Sequence, residues 1–436
     1  LKAYSIWAQF ITDLIVAWSL KLLLKKTNYK YKYLKDIKGI GFRKNNKVIL
    51  NPPEAIVPQE KMDIDLPGYA WDAMLLKTDV ELDLISDMDM YLMIEKGIRG
   101  GMTQVSLKHA VANNKYMSSY NKHLTSSYLM YLDANNLYGL AMSQYLPYKD
   151  FQWCHTAFSV HDILNYDETS ETNYILDVDL EYPAELHDLH CDFPLAPELV
   201  KVSSSMLSEQ SKQIYKSYHQ QKTSDGGLTD PSTIRDDNTS KLVLNLQDKH
   251  NYIIHMNNLK YYLEKGMILK QINRCISFTQ KQWLKPWIDF NTEKRTKADN
   301  DFEKDFFKLM NNAVFGKTME NVRNHIDFEL VNNSQRLGKI QNEPVFKHAH
   351  IINESLVGVE KIRTVTKLNK PIYLGFSILE LSKLHMYKFY YDTLKPLYND
   401  RVKLCYTDTD SFVLHIETED VYDDFNKMDD LFDFSS

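Results

Sequence analysis

Two aspartates stand close together where a β-hairpin is expected. Asp408 and Asp410 lie in the hexapeptide YTDTDS, between the apolar runs VKLCY and FVLHI. This pattern predicts a hairpin with both carboxylates at its tip, and residues two apart on a strand point to the same face. Adjacent carboxylates repel each other unless a cation neutralises them, and oxygen ligands of this kind suit Mg²⁺. Taken alone, the pattern is equally consistent with an acidic turn that faces water.

A third carboxylate, Asp133, ends another apolar run. The run SYLMYLD covers residues 127–133 and predicts a buried strand. A carboxylate at the end of such a strand is costly unless it is exposed at a sheet edge or serves a function. Carboxylates on neighbouring strands can hold two Mg²⁺ ions about 3.5–4 Å apart, an arrangement that activates an attacking hydroxyl and stabilises a leaving group. We therefore expect Asp133 to meet Asp408 and Asp410 in the fold.

Polar groups also follow one face of a helix expected over residues 301–325. Lys308, Asn312 and Phe315 are spaced i, i+4 and i+7, so they share that face. A cation, an amide and a ring in this order could hold a triphosphate, a sugar and a base. Arg295 and Lys297 add positive charge just upstream. The alternative is a solvated basic helix that binds nothing.

Together these segments resemble the three signature motifs of family B DNA polymerases, in the family's order. The sequence DANNLYG from Asp133 resembles motif A, KLMNNAVFG from Lys308 resembles motif B, and YTDTDS from Tyr406 resembles motif C. The resemblance covers roughly residues 66–436. Motif B carries Ala313 and Phe315 where Ser and Tyr are usual, so two hydroxyls are lost. Reverse transcriptases and RNA polymerases usually have adjacent carboxylates in motif C, whereas here a threonine separates them.

The resemblance implies an α+β fold with a right-hand palm, made of an antiparallel sheet with helices, and helical fingers. It implies two Mg²⁺ ions, which Mn²⁺ can replace. The catalytic and metal-binding groups that it implies are Asp133, the carbonyl of Ala134, Asp408 and Asp410. The nucleotide-binding residues that it implies are Tyr138 as a barrier to the 2′-hydroxyl, Lys308 on the triphosphate, Asn312 and Phe315 on the nascent base pair, and Arg295 or Lys297 on a second phosphate.

Within the family, the chain looks most like the protein-primed branch. Ile98-Arg99-Gly100-Gly101 resembles that branch's Y-x-G-G element, which touches template DNA, although Ile98 replaces the tyrosine. The resemblance therefore implies DNA contacts by Arg99, Gly100 and Gly101, and also by Tyr406 and Thr409. The implied partners are a DNA primer–template, dNTPs and a terminal protein that serves as primer.

The expected domain organisation follows the motifs. Residues 1–60 form an N-terminal segment of uncertain role, 61–150 the pre-palm and first palm part, 151–250 a palm insertion with a flexible linker at 221–240, 251–325 the fingers, and 326–436 the second palm part. We see no exonuclease motifs. The chain stops some 25 residues after motif C, so we expect the thumb to be missing and primer–template to be held weakly.

Bulk composition leaves several alternatives open. The formal charge of −6 does not by itself favour nucleic acid binding, yet it can conceal a basic groove. Four cysteines fit a reducing, intracellular setting, and no clear targeting signal is present. Residues 5–24 are apolar but contain Asp13, which favours a buried or amphipathic helix over a membrane anchor. The main rival function is a catalytically decayed, DNA-binding remnant of a mobile-element or viral polymerase gene.

Overall fold

The computed structural model describes residues 41–44, 47–50, 66–214, 217, 240–428, 431 and 432. The chain divides into two compact units, Leu1–Asp65 and Leu66–Ser436. The described part of the first unit is an antiparallel hairpin of β1 (Gly41–Lys44) and β2 (Lys47–Leu50). The apolar stretch 5–24 and most of the linker 221–240 lie outside the described residues. Within the described ranges, no helix combines the length and apolar character needed to cross a bilayer.

The second unit mixes α-helices with antiparallel sheets. Its strands are β3 (Thr103–Val105), β4 (Ser127–Asp133), β5 (Leu146–Trp153), β6 (Thr172–Glu181), β7 (Glu198–Lys201), β8 (Ser240–Val243), β9 (Lys249–His255), β10 (Ile268–Lys281), β11 (Asp327–Val331), β12 (Phe346–Asn353), β13 (Leu356–Lys361), β14 (Val402–Asp408) and β15 (Ser411–Glu417). Its helices are α1 (Leu66–Thr78), α2 (Met88–Gly97), α3 (Leu137–Met142), α4 (Val160–Leu164), α5 (His187–His190), α6 (Met256–Glu264), α7 (Lys285–Thr296), α8 (Asp301–Thr318), α9 (Ser334–Gln341), α10 (Ile372–Lys388), α11 (Lys395–Tyr398) and α12 (Val421–Asn426).

The sheet that matters for the site has the strand order β3-β14-β15-β4 and is antiparallel throughout. The predicted hairpin is confirmed as β14 and β15, and the predicted strand 127–133 is confirmed as β4. β4 is buried on one face only, however, because Leu129, Tyr131 and Asp133 are exposed on the other. The apolar run therefore reflects a strand that packs on the core with alternate residues and keeps two apolar side chains at the surface.

A second sheet has the order β5-β10-β6-β9 and corrects one prediction. The spacing of apolar residues predicts mainly helix for residues 258–324, with breaks near Gly266 and Pro286, but residues 268–281 form the long strand β10. β10 pairs with β5 on one side and β6 on the other, and its C-terminal half alternates between buried and more exposed positions. Long-range pairing with two partner strands decides its conformation, and local spacing does not reveal such partners.

The remaining sheets are smaller. β11, β13 and β12 form a three-stranded sheet that packs with α9 around its own apolar cluster of Val331, Ile340 and Val359. β7 and β8 form a two-stranded sheet. In sequence, β7 and β8 precede the helices α6, α7 and α8, and β11, β12 and β13 follow them.

Helix α10 runs through the centre of the second unit. The run FSILELSKLHMYKFYYDTLKPLY, residues 376–398, predicts a long amphipathic helix. The helix is present, but its amphipathic character is wrong, because α10 is buried on nearly all sides between residues 372 and 384. It packs against α2, α3, α6 and α8 and continues into a π-helical segment, Phe389–Leu394, before α11. A helix that is hydrophobic all round belongs to the core of a large domain. Its two buried charges, Glu380 and Lys383, therefore need partners within the protein.

Candidate functional site

The three aspartates lie at one end of the sheet β3-β14-β15-β4. Asp408, at the end of β14, pairs with Ser411 of β15, and Ser411 pairs with Asp133 at the end of β4. Asp408 and Asp133 lie on strands two strand spacings apart, so roughly 10 Å separates their backbones. Asp410 lies in the turn between them, where its carbonyl accepts a hydrogen bond of 2.7 Å from the backbone N–H of Ala134. The fold therefore gathers these residues although 275 positions separate Asp133 from Asp408.

Asp408 and Asp410 reach this place by a different route from the one expected. Strand alternation does not align them, because the ladder ends at Asp408 and the next two residues form the turn. Thr409 has a φ of 58°, in the left-handed region, and its N–H donates to the carbonyl of Met102 at 2.8 Å. The turn geometry, rather than the two-residue period, thus directs Asp410 towards β4. We call residues 408–410 the carboxylate turn.

Hydroxyl groups hold the two outer carboxylates. Thr103 donates to Asp408 at 2.8 Å, and Tyr406 donates to the other oxygen of Asp408 at 3.2 Å. Tyr131 donates to Asp133 at 3.1 Å. Each tyrosine precedes its aspartate by two residues on a strand, so both rings lie on the face that carries the carboxylates.

Electrostatics links the aspartates to one another and to α8. Burial raises the pKa of the Asp410 carboxyl above its usual value, and the negative charges of Asp133 and Asp408 raise it further. The positive charge of Lys308 acts in the opposite direction on the same carboxyl. The three carboxylates and Lys308 thus form one interacting group, in which negative charge exceeds positive charge.

The donor chemistry of this group fits a hard divalent cation such as Mg²⁺, because carboxylate oxygens are its preferred protein ligands. Across the described part of the chain, however, no three His, Cys, Asp or Glu side chains are arranged so that they could hold a metal ion. Hydroxyls of Thr103, Tyr131 and Tyr406 donate hydrogen bonds to Asp133 and Asp408. The residues therefore fit the ion in chemical type, and two of the three carboxylates accept hydrogen bonds from hydroxyls.

An aromatic stack joins the motif A segment to α8. The rings of Tyr138 and Phe315 lie 4.4 Å apart at an angle of 19°. Burial raises the pKa of Tyr138, and the charge of Asp410 adds to this effect, so the phenol lies near the carboxylate turn. Tyr138 belongs to α3, whose residues Leu137, Ala141 and Met142 are buried and fix the helix against the core.

The other predicted nucleotide contacts are less closely tied to the aspartates. Asn312 is exposed on α8, one turn beyond Lys308, which is also exposed. Arg295 and Lys297 are exposed at the end of α7, and the amine of Lys297 pairs with Glu293 at 2.5 Å. No described contact joins either of these two cations to the carboxylate turn.

Arg99 occupies a different environment from the one predicted. Its side chain is 5% exposed, donates to the carbonyl of Ile253 and to Glu380, and stacks on the ring of Tyr252 with its guanidinium carbon 3.8 Å from the centroid. The Arg99 side chain is thus bound to buried groups, among them a carboxylate that the sequence does not reveal. Its role as a DNA contact remains a prediction.

The two glycines that follow Arg99 differ from each other. Gly100 is exposed, and a Cβ added there would meet nothing within 4 Å. Gly101 lies against the carboxylate turn, where an added Cβ would be 2.1 Å from Oγ1 of Thr409. Thr409 itself is partly buried and Tyr406 half-buried beside Asp408.

Sequence reasoning missed two residues of the site. Tyr131 could have been found, because it precedes Asp133 by two residues on a strand and must share its face. Thr103 gives no such signal, since it reaches Asp408 through the pairing of β3 with β14 across 305 residues.

No protein-family model matches the sequence, and no curated protein matches it. Among solved structures, the fold is similar to "Phi29 DNA polymerase complexed with primer-template DNA and incoming nucleotide substrates", with a TM-score of 0.45, 14% identity, and coverage of 83% of this chain and 50% of that chain.

Two further solved structures give similar values. The binary complex of Phi29 DNA polymerase with primer-template DNA has a TM-score of 0.45 and 14% identity, with coverage of 84% and 49% of the two chains. The complex of the same polymerase with single-stranded DNA has a TM-score of 0.42 and 15% identity, with coverage of 81% and 47%. The chain thus spans about half the length of these structures. Similarity at this level does not establish an activity, which must be argued from the residues.

Proposed function

We propose that this chain contains the palm and fingers of a family B DNA polymerase of the protein-primed branch, and that it catalyses template-directed DNA synthesis. One observation carries the proposal. Asp133 and Asp408 flank Ser411 at the end of a single sheet, and Asp410 lies in the turn beside Ala134. The three aspartates belong to the segments that resemble motifs A and C. Their neighbouring positions at one end of a sheet support the proposal that these segments form one active site.

In this proposal Asp133, Asp410 and the carbonyl of Ala134 hold two Mg²⁺ or Mn²⁺ ions, and Asp408 is the supporting third carboxylate. When bound, the ions activate the primer 3′-hydroxyl and stabilise the leaving pyrophosphate. Without cations, the carboxylates repel each other, which is consistent with the raised pKa of Asp410. Tyr131, Tyr406 and Thr103 keep the outer carboxylates hydrogen-bonded and oriented on the same face of the sheet.

The incoming dNTP lies between α8 and the sheet in this proposal. Lys308 binds the triphosphate, which is supported by its electrostatic effect on Asp410. Asn312 and Phe315 line the nascent base pair. Tyr138 excludes a 2′-hydroxyl by steric bulk, and its stack on Phe315 fixes the orientation of its ring. Arg295 or Lys297 supplies a second phosphate contact.

The partners are a DNA primer–template and, as primer at initiation, a terminal protein. Tyr406, Thr409 and Gly100 are the residues proposed to approach DNA, because they lie at or next to the carboxylate turn and Gly100 is exposed. The palm comprises residues 61–150 and 326–436, the insertion residues 151–250, and the fingers residues 251–325, which include α8.

A primer-extension assay tests this function. The chain is incubated with a labelled primer–template, dNTPs and Mg²⁺ at low salt, because phosphate contacts weaken steeply as salt rises. We expect extension by the parent chain, none by Asp410→Asn, and unchanged extension by the matched variant Asp400→Asn, whose exposed carboxylate precedes β14. Equal extension by the parent and Asp410→Asn would contradict the proposal.

A decayed, DNA-binding remnant of the same ancestry is the second candidate. Two observations favour it: the outer carboxylates are engaged with hydroxyls instead of forming a compact ligand set, and motif B carries Ala313 and Phe315 without hydroxyls. Binding of primer–template without extension in either Mg²⁺ or Mn²⁺ would support the remnant over the enzyme.

A further inference from the structure

Residues 98–105 follow α2, include β3, and pass directly beside the carboxylate turn. We call this segment the strap. Its downstream half, β3, pairs with β14 through Thr103 and Asp408, Gln104 and Thr407, and Val105 and Tyr406. Between α2 and β3, the carbonyl of Met102 accepts the N–H of Thr409 at 2.8 Å. The strap therefore contacts both the backbone of the turn and one of its carboxylates.

The upstream half of the strap is fixed in the core. The carbonyl of Arg99 accepts a hydrogen bond of 2.8 Å from Lys383 of α10, which is 3% exposed. The side chain of Arg99 is bound to Glu380 and to the carbonyl of Ile253. Backbone and side chain of Arg99 are thus both tied to buried groups, and Met102 is itself 1% exposed. A displacement of the strap would break several buried hydrogen bonds, each of which is costly to leave unmade.

Gly101 is the point of closest approach between strap and turn. A Cβ at this position would lie 2.1 Å from Oγ1, 2.6 Å from Cγ2 and 2.8 Å from Cβ of Thr409. Rotation of the Thr409 side chain moves Oγ1 and Cγ2 but leaves Cβ in place, so a new rotamer cannot relieve the overlap. Since the strap is anchored at both ends, the turn must yield instead.

We propose that Gly101 is a positioning residue, and that its lack of a side chain lets the strap set the position of the carboxylate turn relative to Asp133. The inference rests on the proposed function, because it concerns the same carboxylates. The role proposed for Gly101 is to set the geometry of the metal site. The resemblance to a polymerase element, by contrast, implies that Gly101 contacts template DNA. Residues that orient metal ligands from behind typically contribute about 10–100-fold to metal affinity.

The test measures Mn²⁺ binding by electron paramagnetic resonance on the full chain without DNA. We expect Gly101→Ala to weaken Mn²⁺ binding about 10–100-fold. The control variant Gly338→Ala, in α9, should keep the parent's Mn²⁺ affinity, because an added Cβ there meets nothing within 4 Å. In Gly101→Ala, the second substitution Thr409→Gly removes all three overlapping atoms and suits the left-handed backbone of residue 409, so it should restore Mn²⁺ binding.

Each outcome decides the inference. A folded Gly101→Ala chain that binds Mn²⁺ as the parent does would overturn it. If Gly101→Ala does not fold, the double variant decides: recovery of folding and of Mn²⁺ affinity supports the strap, and failure to recover contradicts it. Asp410→Asn separates the two proposals. Equal Mn²⁺ binding by the parent and Asp410→Asn would reject the metal site itself, whereas a loss in Asp410→Asn without a loss in Gly101→Ala would reject only the role of Gly101.

Discussion

The buried charges behind the strap permit a quantitative prediction. Glu380 is 1% exposed and lies 3.4 Å from both the guanidinium of Arg99 and the amine of Lys383, which are 5% and 3% exposed. Glu380→Gln keeps the shape of the side chain but removes the negative charge. Two buried cations then remain without a counter-charge, although an amide oxygen in the place of Oε1 can still accept the hydrogen bonds from Arg99 and Lys383.

Removing one partner of a buried ion pair costs about 3–5 kcal/mol, because the remaining charge is uncompensated. The retained amide oxygen places Glu380→Gln at the lower end, about 3 kcal/mol. Each kcal/mol shifts Tm by about 2–4 °C in domains of 150–250 residues, and by less in larger ones. For the larger unit Leu66–Ser436 we therefore expect Tm to fall by about 4 °C.

The loss of unfolding free energy caused by Glu380→Gln, called the deficit below, should also depend on pH in a defined direction. Burial lowers the pKa of Lys383 from 10.5 to about 8, and the charge of Glu380 opposes this effect. A base whose pKa is lower in the folded chain disfavours folding while it is protonated; this cost starts to fall as pH rises above the folded pKa and is gone above the unfolded pKa. Without Glu380 the pKa of Lys383 falls further. The Lys383 part of the deficit should therefore be complete only below the lowered pKa of Lys383 in the variant, shrink as pH rises from there, and be gone above about 8.

Urea unfolding at pH 7 and pH 9, followed by circular dichroism, measures both effects. The matched control is Glu95→Gln, which removes one carboxylate from the exposed ion pair with Arg323 and should cost about 0–1 kcal/mol. A loss for Glu380→Gln no larger than that of Glu95→Gln at pH 7 would refute the reasoning. A deficit that grows between pH 7 and pH 9 would contradict the part assigned to Lys383.

Three further outcomes follow from the site and its surroundings. Tyr138→Val should admit ribonucleotides, because exclusion rests on ring bulk; an unchanged dNTP-to-rNTP incorporation ratio would reject the role of Tyr138. Lys308→Met should raise the KM for dNTP about 10–100-fold more than Lys304→Met, since a hydrogen bond to a charged group contributes about 1.5–3 kcal/mol; equal KM values would reject the triphosphate contact. Hydrogen bonds from Lys370, Lys317 and His325 lower the pKa of Glu320 to about 2, and the bond from Lys370 is the largest cause. The ionised Glu320 therefore contributes to the stability of the folded chain above about pH 4.5, and this contribution is lost as pH falls towards 2. Glu320→Gln should therefore be destabilised at pH 7, with a deficit that shrinks on acidification below about pH 4.5, and a deficit that is constant in urea unfolding from pH 7 to pH 3 would contradict this.

Local patterns predicted the elements that carry the aspartates. The hairpin of β14 and β15 and the strand β4 are bounded by turn residues and rich in β-branched and aromatic side chains, so short-range preferences suffice to define them. Strand β10 was not predicted, because its conformation depends on partners at least 87 positions away in β5 and β6. Helix α10 was predicted as a helix but not as a buried one, since burial depends on what packs around it.

In the site, too, local patterns predicted some features, whereas others depend on long-range contacts. The approach of Asp133 to Asp408 was expected from strand ends, yet the position of Asp410 depends on the left-handed Thr409, which no sequence pattern indicated. Arg99 was expected to contact DNA because Ile98-Arg99-Gly100-Gly101 resembles a polymerase element, and nothing in the sequence indicated its carboxylate partner, which lies 281 positions away on α10. Long-range pairing of charges is thus the main information that the sequence alone did not provide. The functional roles of the residues remain predictions.

The central claim is that this chain selects a nucleotide by its template and joins it to a primer at the aspartate cluster. The most direct measurement is single-nucleotide incorporation on four primer–templates that differ only in the first coding base, at low salt with Mg²⁺ or Mn²⁺. We expect each template to direct addition of its complementary dNTP, and Asp410→Asn to add none. Absence of addition on all four templates with both metals, or addition that does not follow the coding base, would contradict the account.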